Sequence, residues 1–320
     1  MTKEITLPFE KYFQINKNFF MRFYLFLNND RYPRIVRYFF RILFNRIAFS
    51  LLKNDIKLDV KASFKNKFFK IRSTNSQFHS IYFPQYTDGY EREVTETINK
   101  LLPNNGTFID IGSNWGHHSI STAISKNAKV ISFEPNPLVF NDLIRMVRDL
   151  GLKNIECINV ALGNENKDLV LSQENFDSGT VSIDSNNRFL RFPEKIFQII
   201  TFQKPIKYPI KQKTLDSLIE NINIDLIKID VEGFELNCLT GGGNTIDKNS
   251  PDIIIEIFEE TYYECQRFLG KFGYKFFQLK INNHGNLVII PIVNPPKERL
   301  NALASKKELL ELKLLINEEN

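Results

Sequence analysis

From residue 107 onward, short apolar runs alternate with helical stretches. TFIDIG precedes WGHHSISTAISK, KVISFEP precedes NPLVFNDLIRMVRDLG, and IECINVAL follows. After a long irregular stretch come IDLIKID, a helix through ELNCLTGG, then PDIIIEI and TYYECQRFLGKFG. Parallel strands need crossovers, and a crossover is usually a helix, so this rhythm predicts a doubly wound, mostly parallel α/β sheet. YKFFQL and NLVIIPI then read as a late antiparallel hairpin.

The flanks read differently. Residues 1–60 hold eleven Lys/Arg and five Asp/Glu, a local charge of +6 within a net +5. The remainder is therefore about −1, which argues against a general nucleic-acid binder. In the arm, Val36, Phe39, Phe40, Leu43 and Ile47 share one helical face, and Arg34, Arg37 and Arg41 another. Such a helix either packs on the α/β domain or lies on a membrane surface or partner. FFKIRS, the polar STNSQ and FHSIYF predict a β-hairpin, and YEREVTETINKL a helix. The expected organisation is a basic, Phe-rich helical arm over 1–58, a hairpin over 59–88, the α/β domain over 89–293 and a C-terminal helix over 294–320. That last helix, with Leu300, Leu303, Leu310 and Leu314 on one side, docks on the core or forms a homodimer contact.

Cys157, Cys238 and Cys265 are widely spaced, which suggests a reducing compartment and neither a disulfide framework nor a zinc site. The charged N-terminus lacks a signal-peptide pattern, and no apolar run reaches the ~18 residues of a spanning helix. A cytoplasmic location, with peripheral membrane contact through the arm, is the expectation.

The ligand turn is FIDIGSNWGHHS. Its spacing is D-x-G-x-x-x-G, which is neither the G-x-G-x-x-G of a dinucleotide site nor a P-loop. Asp110 would repel a pyrophosphate and suits a cationic group instead. Glu134 ends the second strand, roughly 20 residues on, where an acid holds ribose hydroxyls. A ribose, a positive charge and no pyrophosphate together describe S-adenosylmethionine. In IKIDVEGFE, Asp230, Glu232 and Glu235 crowd the end of the fourth strand. Clustered carboxylates there serve hydrogen bonding, cations or proton transfer, or else cap a helix, with Asp230 as N-cap and Glu235 a plain first-turn acid.

Taken together, these segments resemble the FkbM family of S-adenosylmethionine-dependent methyltransferases over about residues 81–260. The likeness runs through GYE (Gly89, Tyr90, Glu91), FIDIGSNWGHHS, FEPNPLVFNDL, INVALG, Ser178-Gly179-Thr180, KTLDSL, IKIDVEGFELNCLTGG and PDIIIEI. The resemblance implies a class I, Rossmann-like methyltransferase fold with a seven-stranded sheet and one antiparallel strand. It implies O-methylation of a hydroxyl on a glycan, glycolipid or natural-product acceptor, as in polysaccharide biosynthesis. It also implies a cofactor site of Glu91, Asp110, Gly112, Ser113, Asn114, Gly116, Glu134, Pro135, Asn136, Val160 and Ala161, with Asn159 nearby and Asp230 near the transferred methyl. His117 and His118 depart from the family pattern, and residues 187–209 form a longer insertion.

A hydroxyl acceptor needs a base, for which Asp230 and Glu232 are the first candidates and His117 or His118 the second. A divalent metal on Asp230, Glu232 and Glu256 is an alternative route to acidifying the hydroxyl, although no ligand spacing supports one. A non-catalytic S-adenosylmethionine-binding module acting through the arm is the competing reading. An NAD-dependent oxidoreductase is disfavoured by the missing glycine fingerprint.

Overall fold

A computed structural model describes residues 59–64, 67–72, 91–173, 182–183 and 206–317. The arm over 1–58, the FHSIYF strand, Gly89, Tyr90, the Ser178-Gly179-Thr180 triplet and most of the 187–209 insertion lie outside the described residues. The chain divides into two compact units, the second of which begins at Glu91.

In the first unit, β1 (Asp59–Phe64) and β2 (Lys67–Arg72) pair antiparallel, with Phe64 opposite Lys67. DVKASF thus partners KFFKIR, a pairing the sequence pattern does not single out.

The second unit opens with helix α1 (Arg92–Leu101) and strand β3 (Thr107–Ile111). Helix α2 (His117–Ser125), β4 (Lys129–Phe133), α3 (Pro137–Asp149) and β5 (Ile155–Ile158) follow. IECINVAL is not one strand. It breaks at Asn159, and Ala161–Leu162 (β6) joins a second sheet with β7 (Lys167–Gln173), β8 (Ser182–Ile183) and β9 (Ile206–Lys213), in the order β6-β9-β7-β8. The stretch read as irregular thus contains a small sheet, and the end of the insertion is part of β9.

A short helix α4 (Leu215–Leu218) leads to β10 (Leu226–Ile229), α5 (Glu235–Gly241), α6 (Gly243–Asn249), β11 (Asp252–Ile257) and α7 (Glu259–Gly270). The chain then forms β12 (Lys275–Ile281), β13 (Leu287–Pro291), β14 (Leu300–Ser305) and α8 (Leu309–Asn317). The large sheet has the order β13-β12-β14-β11-β10-β3-β4-β5. From β5 to β11 all pairings are parallel, and β14 inserts antiparallel between β11 and β12.

Two expectations are corrected. Among the described residues the sheet has eight strands rather than seven, with two antiparallel rather than one, because β13 adds to the free edge of β12. The helix expected over residues 294–320 begins only at Leu309. Leu300–Ser305 is a strand whose Ala302, Leu303 and Ala304 are fully buried, and burial on both faces removes the polar alternation that would have marked it.

The sheet's period of two divides the core. Ile109, Ile111, Ile131, Phe133, Ile227, Ile229, Ile253 and Ile255 face one side, with Leu239, Ile246, Tyr262 and Leu269 of the helices α5, α6 and α7. Phe108, Val130, Leu226 and Ile254 face the other, with Val94 and Ile98 of α1 and Leu312 of α8. On this second face the next residues toward the carboxyl ends are Asp110, Ser132, Lys228 and Glu256. The face thus changes from apolar to charged where the strands end. Among the described residues, no helix is long and apolar enough to cross a membrane.

Candidate active site

The polar row follows the strand register. Asp110 pairs directly with Ser132 on one side and Lys228 on the other. Asp110 is 1% exposed. Its Oδ2 accepts from Ser119 Oγ of α2 at 2.6 Å, and Ser119 Oγ lies 2.6 Å from Ser132 Oγ. Its Oδ1 is buried without a hydrogen-bond partner. A carboxylate oxygen left unmatched in the interior is costly, so it marks a place where a donor or cation belongs.

The turn after β3 is shaped by close packing. Gly112 (φ 76°) donates its N–H to the Phe133 carbonyl at 3.0 Å, and a Cβ there would collide with the Asp230 carbonyl. Gly116 (φ 76°) begins α2, and a Cβ there would strike Leu143 of α3. Both glycines are thus required by left-handed backbone and by neighbours. Asn114 also takes the left-handed conformation, at φ 53°, which asparagine tolerates. Ser113 is buried, and its N–H also reaches the Phe133 carbonyl, at 3.0 Å.

Glu134 is bound into this turn. Its Oε2 accepts from the Asn114 N–H at 2.9 Å and its Oε1 from the Asn136 N–H at 2.8 Å. Burial pushes its carboxyl up to about 7, against the lowering effect of those two amides and with help from the charges of Asp110 and Asp230. Asn136 Oδ1 in turn accepts from the Leu138 N–H at 3.0 Å, at the start of α3. Asn159 Nδ2 donates to the carbonyls of Glu134 (2.7 Å) and Pro135 (3.1 Å), which joins the 134–136 segment to the bend that carries Val160 and Ala161.

Lys228, which sequence reasoning passed over, lies at the centre of the row. It is 3% exposed, and its Nζ donates to Asp230 Oδ2 at 2.9 Å. Burial alone would lower its pKa, but Asp230, Glu91 and Asp110 reverse this and hold it above the ordinary lysine value. The only sequence signal was a lysine inside an otherwise apolar strand. Asp230 caps no helix: α5 starts at Glu235, with Phe234 at its N-cap position. Glu235 is no plain surface acid either. It is fully buried, and its Oε1 accepts from the N–H groups of Gly233 (2.9 Å) and Val231 (3.4 Å), which fixes the loop between them.

The two histidines, second candidates for the base, are both buried. His118 Nε2 lies 2.8 Å from Glu91 Oε2, which ties the start of α2 to the start of α1. The His117 ring meets that of His118 edge-on at 4.9 Å. Burial, then His118 and Lys228, pull the pKa of His117 well below the usual histidine value despite Glu91, so it is neutral at pH 7.

Beyond Asp230 the edge carries a second charged group. Glu232 (φ 54°) accepts from Arg299 Nη1 at 2.6 Å, and the same nitrogen is 3.1 Å from Glu256 Oε2. Arg299 also lies over the Phe258 ring, at 5.4 Å. Burial and the charge of Asp230 push Glu256 up to about 8, against the pull of Arg299. No cluster of metal-ligating residues occurs among the described residues.

The methyltransferase FkbM domain model matches residues 110–276, just over half of the chain and the whole of this strand-end row. The chain belongs to the FkbM family of S-adenosylmethionine-dependent methyltransferases. Its sheet order, with one antiparallel strand inserted next to the parallel set, is that of the class I methyltransferase fold expected of the family. Among solved structures, methyltransferase FkbM from Methylobacillus flagellatus KT is similar, with 15% identity and a TM-score of 0.42. The alignment covers 89% of this chain and 57% of that one, so this FkbM chain spans little more than half of that relative. Precorrin-6y C5,15-methyltransferase from Geobacter metallireducens GS-15 aligns at 14% identity and a TM-score of 0.37, covering 67% and 89% of the two chains. M. jannaschii TYW2 in complex with AdoMet aligns at 13% identity and a TM-score of 0.37, covering 78% and 86%. No curated protein matches the chain significantly.

Proposed function

We propose that the protein transfers a methyl group from S-adenosylmethionine to a hydroxyl of a glycan, glycolipid or natural-product acceptor. The observation that carries the donor assignment is the buried Asp110, whose Oδ1 has no hydrogen-bond partner. An ammonium or sulfonium ligand supplies the positive charge such an oxygen lacks. Glu134, aimed by two backbone amides, keeps lone pairs for ribose hydroxyls. Gly112, Ser113, Asn114 and Gly116 form the wall between these acids. Pro135, Asn136, Val160 and Ala161 provide the adenine side, and Glu91 closes the pocket through His118.

When bound, S-adenosylmethionine supplies an activated methyl group, and the protein's task is alignment and proton removal. Asp230, at the carboxyl end of β10, is the base we assign to the acceptor hydroxyl. Glu256 beside it, pushed up to about 8, already holds its own proton at pH 7 and can take up the transferred one only above about pH 8. Neutral His117 serves as the alternative acceptor of the proton. Glu232, held by Arg299, shapes the entrance.

Calorimetric titration with S-adenosylmethionine, followed by product screening with a labelled methyl donor, tests this reading. Donor binding without label transfer to any hydroxyl acceptor would favour the non-catalytic module instead. The basic, Phe-rich sequence of residues 1–58 supports contact with an anionic membrane, where a glycolipid acceptor would reside. Equal liposome pelleting with and without that arm would remove this part of the proposal.

A further inference from the structure

We propose that Lys228 is a positioning residue of the donor pocket, acting through Asp230 to hold the strand-end carboxylates aligned before any ligand arrives. The inference rests on the donor reading above and concerns a residue that reading does not use. Lys228 is 3% exposed and makes one short contact, 2.9 Å from Nζ to Asp230 Oδ2. The groups that interact with it come from β3, its own strand β10, α1, α2 and β11. Asp110 is its direct neighbour on β3, and Asp230 follows two residues later on its own strand. Glu91 lies at the start of α1 and His117 at the start of α2, and both interact with it electrostatically. Glu256 on β11 also feels its charge.

Asp110, Asp230, Glu91 and one neutral imidazole thus share this buried ammonium, while Glu256 divides its attraction between it and Arg299. A lysine so placed is poorly explained as packing, because an apolar side chain would fill an interior strand position at lower desolvation cost. It is well explained as a fixed counter-charge. Without it, repulsion among Asp110, Asp230 and Glu91 would be relieved by proton uptake or by side-chain movement, and either would spoil a site for a cationic donor.

The test uses the full chain and S-adenosylmethionine as the probe, titrated by calorimetry between pH 6 and 9, with folding checked by thermal melting. Lys228→Met should bind the donor at least about tenfold more weakly at pH 7, and its affinity should fall off at a higher pH than in the wild type. Unchanged affinity with an unchanged pH profile would overturn the proposal. Should that variant not fold, Asp230→Asn and the double variant Lys228→Met/Asp230→Asn decide the matter. A residue that acts through Asp230 adds nothing once Asp230 is neutral, so the double variant should bind as Asp230→Asn does. A further tenfold loss in the double variant would overturn the proposal. Failure of the wild type to bind the donor would instead sink the donor reading itself, so the two failures are distinguishable.

Discussion

The Oε2 of Glu134 accepts the backbone N–H of Asn114 at 2.9 Å, which locks the end of the second strand to the glycine turn after the first. This bond fixes the direction of the acid, while burial raises its pKa from 4.5 to about 7. The folded protein therefore holds the Glu134 proton more tightly than the unfolded chain does. Its contribution favours the ligand-free fold at low pH and is lost as pH rises from about 4.5 through 7, by roughly 3 kcal/mol in all. Ribose binding to the ionised form changes in the opposite sense, so donor affinity should rise across pH 7. Paired denaturation and calorimetry between pH 5 and 8 check both trends. Donor affinity that weakens as pH rises would contradict this account of Glu134.

Gly112 and Gly116 should not tolerate a side chain. Gly112→Ala meets the backbone of Asp230 as well as an unfavourable φ, and should cost about 3 kcal/mol or more. Gly116→Ala meets the side chain of Leu143, which has some freedom to move, and should cost less, about 1–3 kcal/mol. Urea denaturation measures both. Equal losses, or a larger one at Gly116, would argue against the packing described.

Ser119 is the hydroxyl that donates to Asp110. Ser119→Ala removes that bond from a buried carboxylate and should cost about 1–3 kcal/mol. Donor affinity should fall with it, because Asp110 loses the contact that orients it. Thermal melting and calorimetry on one preparation give both numbers. A stability loss with no change in affinity would remove Asp110 from the pocket.

Arg299 is 41% exposed, so its ion pairs with Glu232 and Glu256 contribute only about 0–1 kcal/mol. Its effect on charge should be larger. Arg299→Ala removes the cation that opposes burial at Glu256, and the titration midpoint there should move above its present value of about 8. Carboxyl NMR follows it directly. A downward move would show that Arg299 does not govern Glu256.

Most of the scaffold was legible in the sequence because parallel strands and crossover helices carry different periods. The acids at the strand ends stood out for the same reason: Asp110 and Asp230 interrupt apolar runs. The elements that escaped notice depend on partners distant in sequence. Ala302–Ala304 reads as part of a helix until β11 and β12 bury both its faces. Lys228 reads as a stray charge until Asp110 and Asp230 surround it. The burial of His117 and His118 could not be read from the sequence, because a first helical turn is usually open, whereas α2 is buried from His117 to Ala123. Arg299 reaches Glu232 and Glu256 only because β14 returns to the middle of the sheet.

The most direct test of the account is titration of S-adenosylmethionine into the full chain and into Asp110→Asn and Glu134→Gln. The wild type should bind with a Kd below about 1 mM, more than about 4 kcal/mol of binding free energy. Each variant should bind at least about tenfold more weakly, a loss of about 1.4 kcal/mol. No binding by the wild type, or wild-type affinity in both variants, would contradict the assignment of this strand-end row as the donor site.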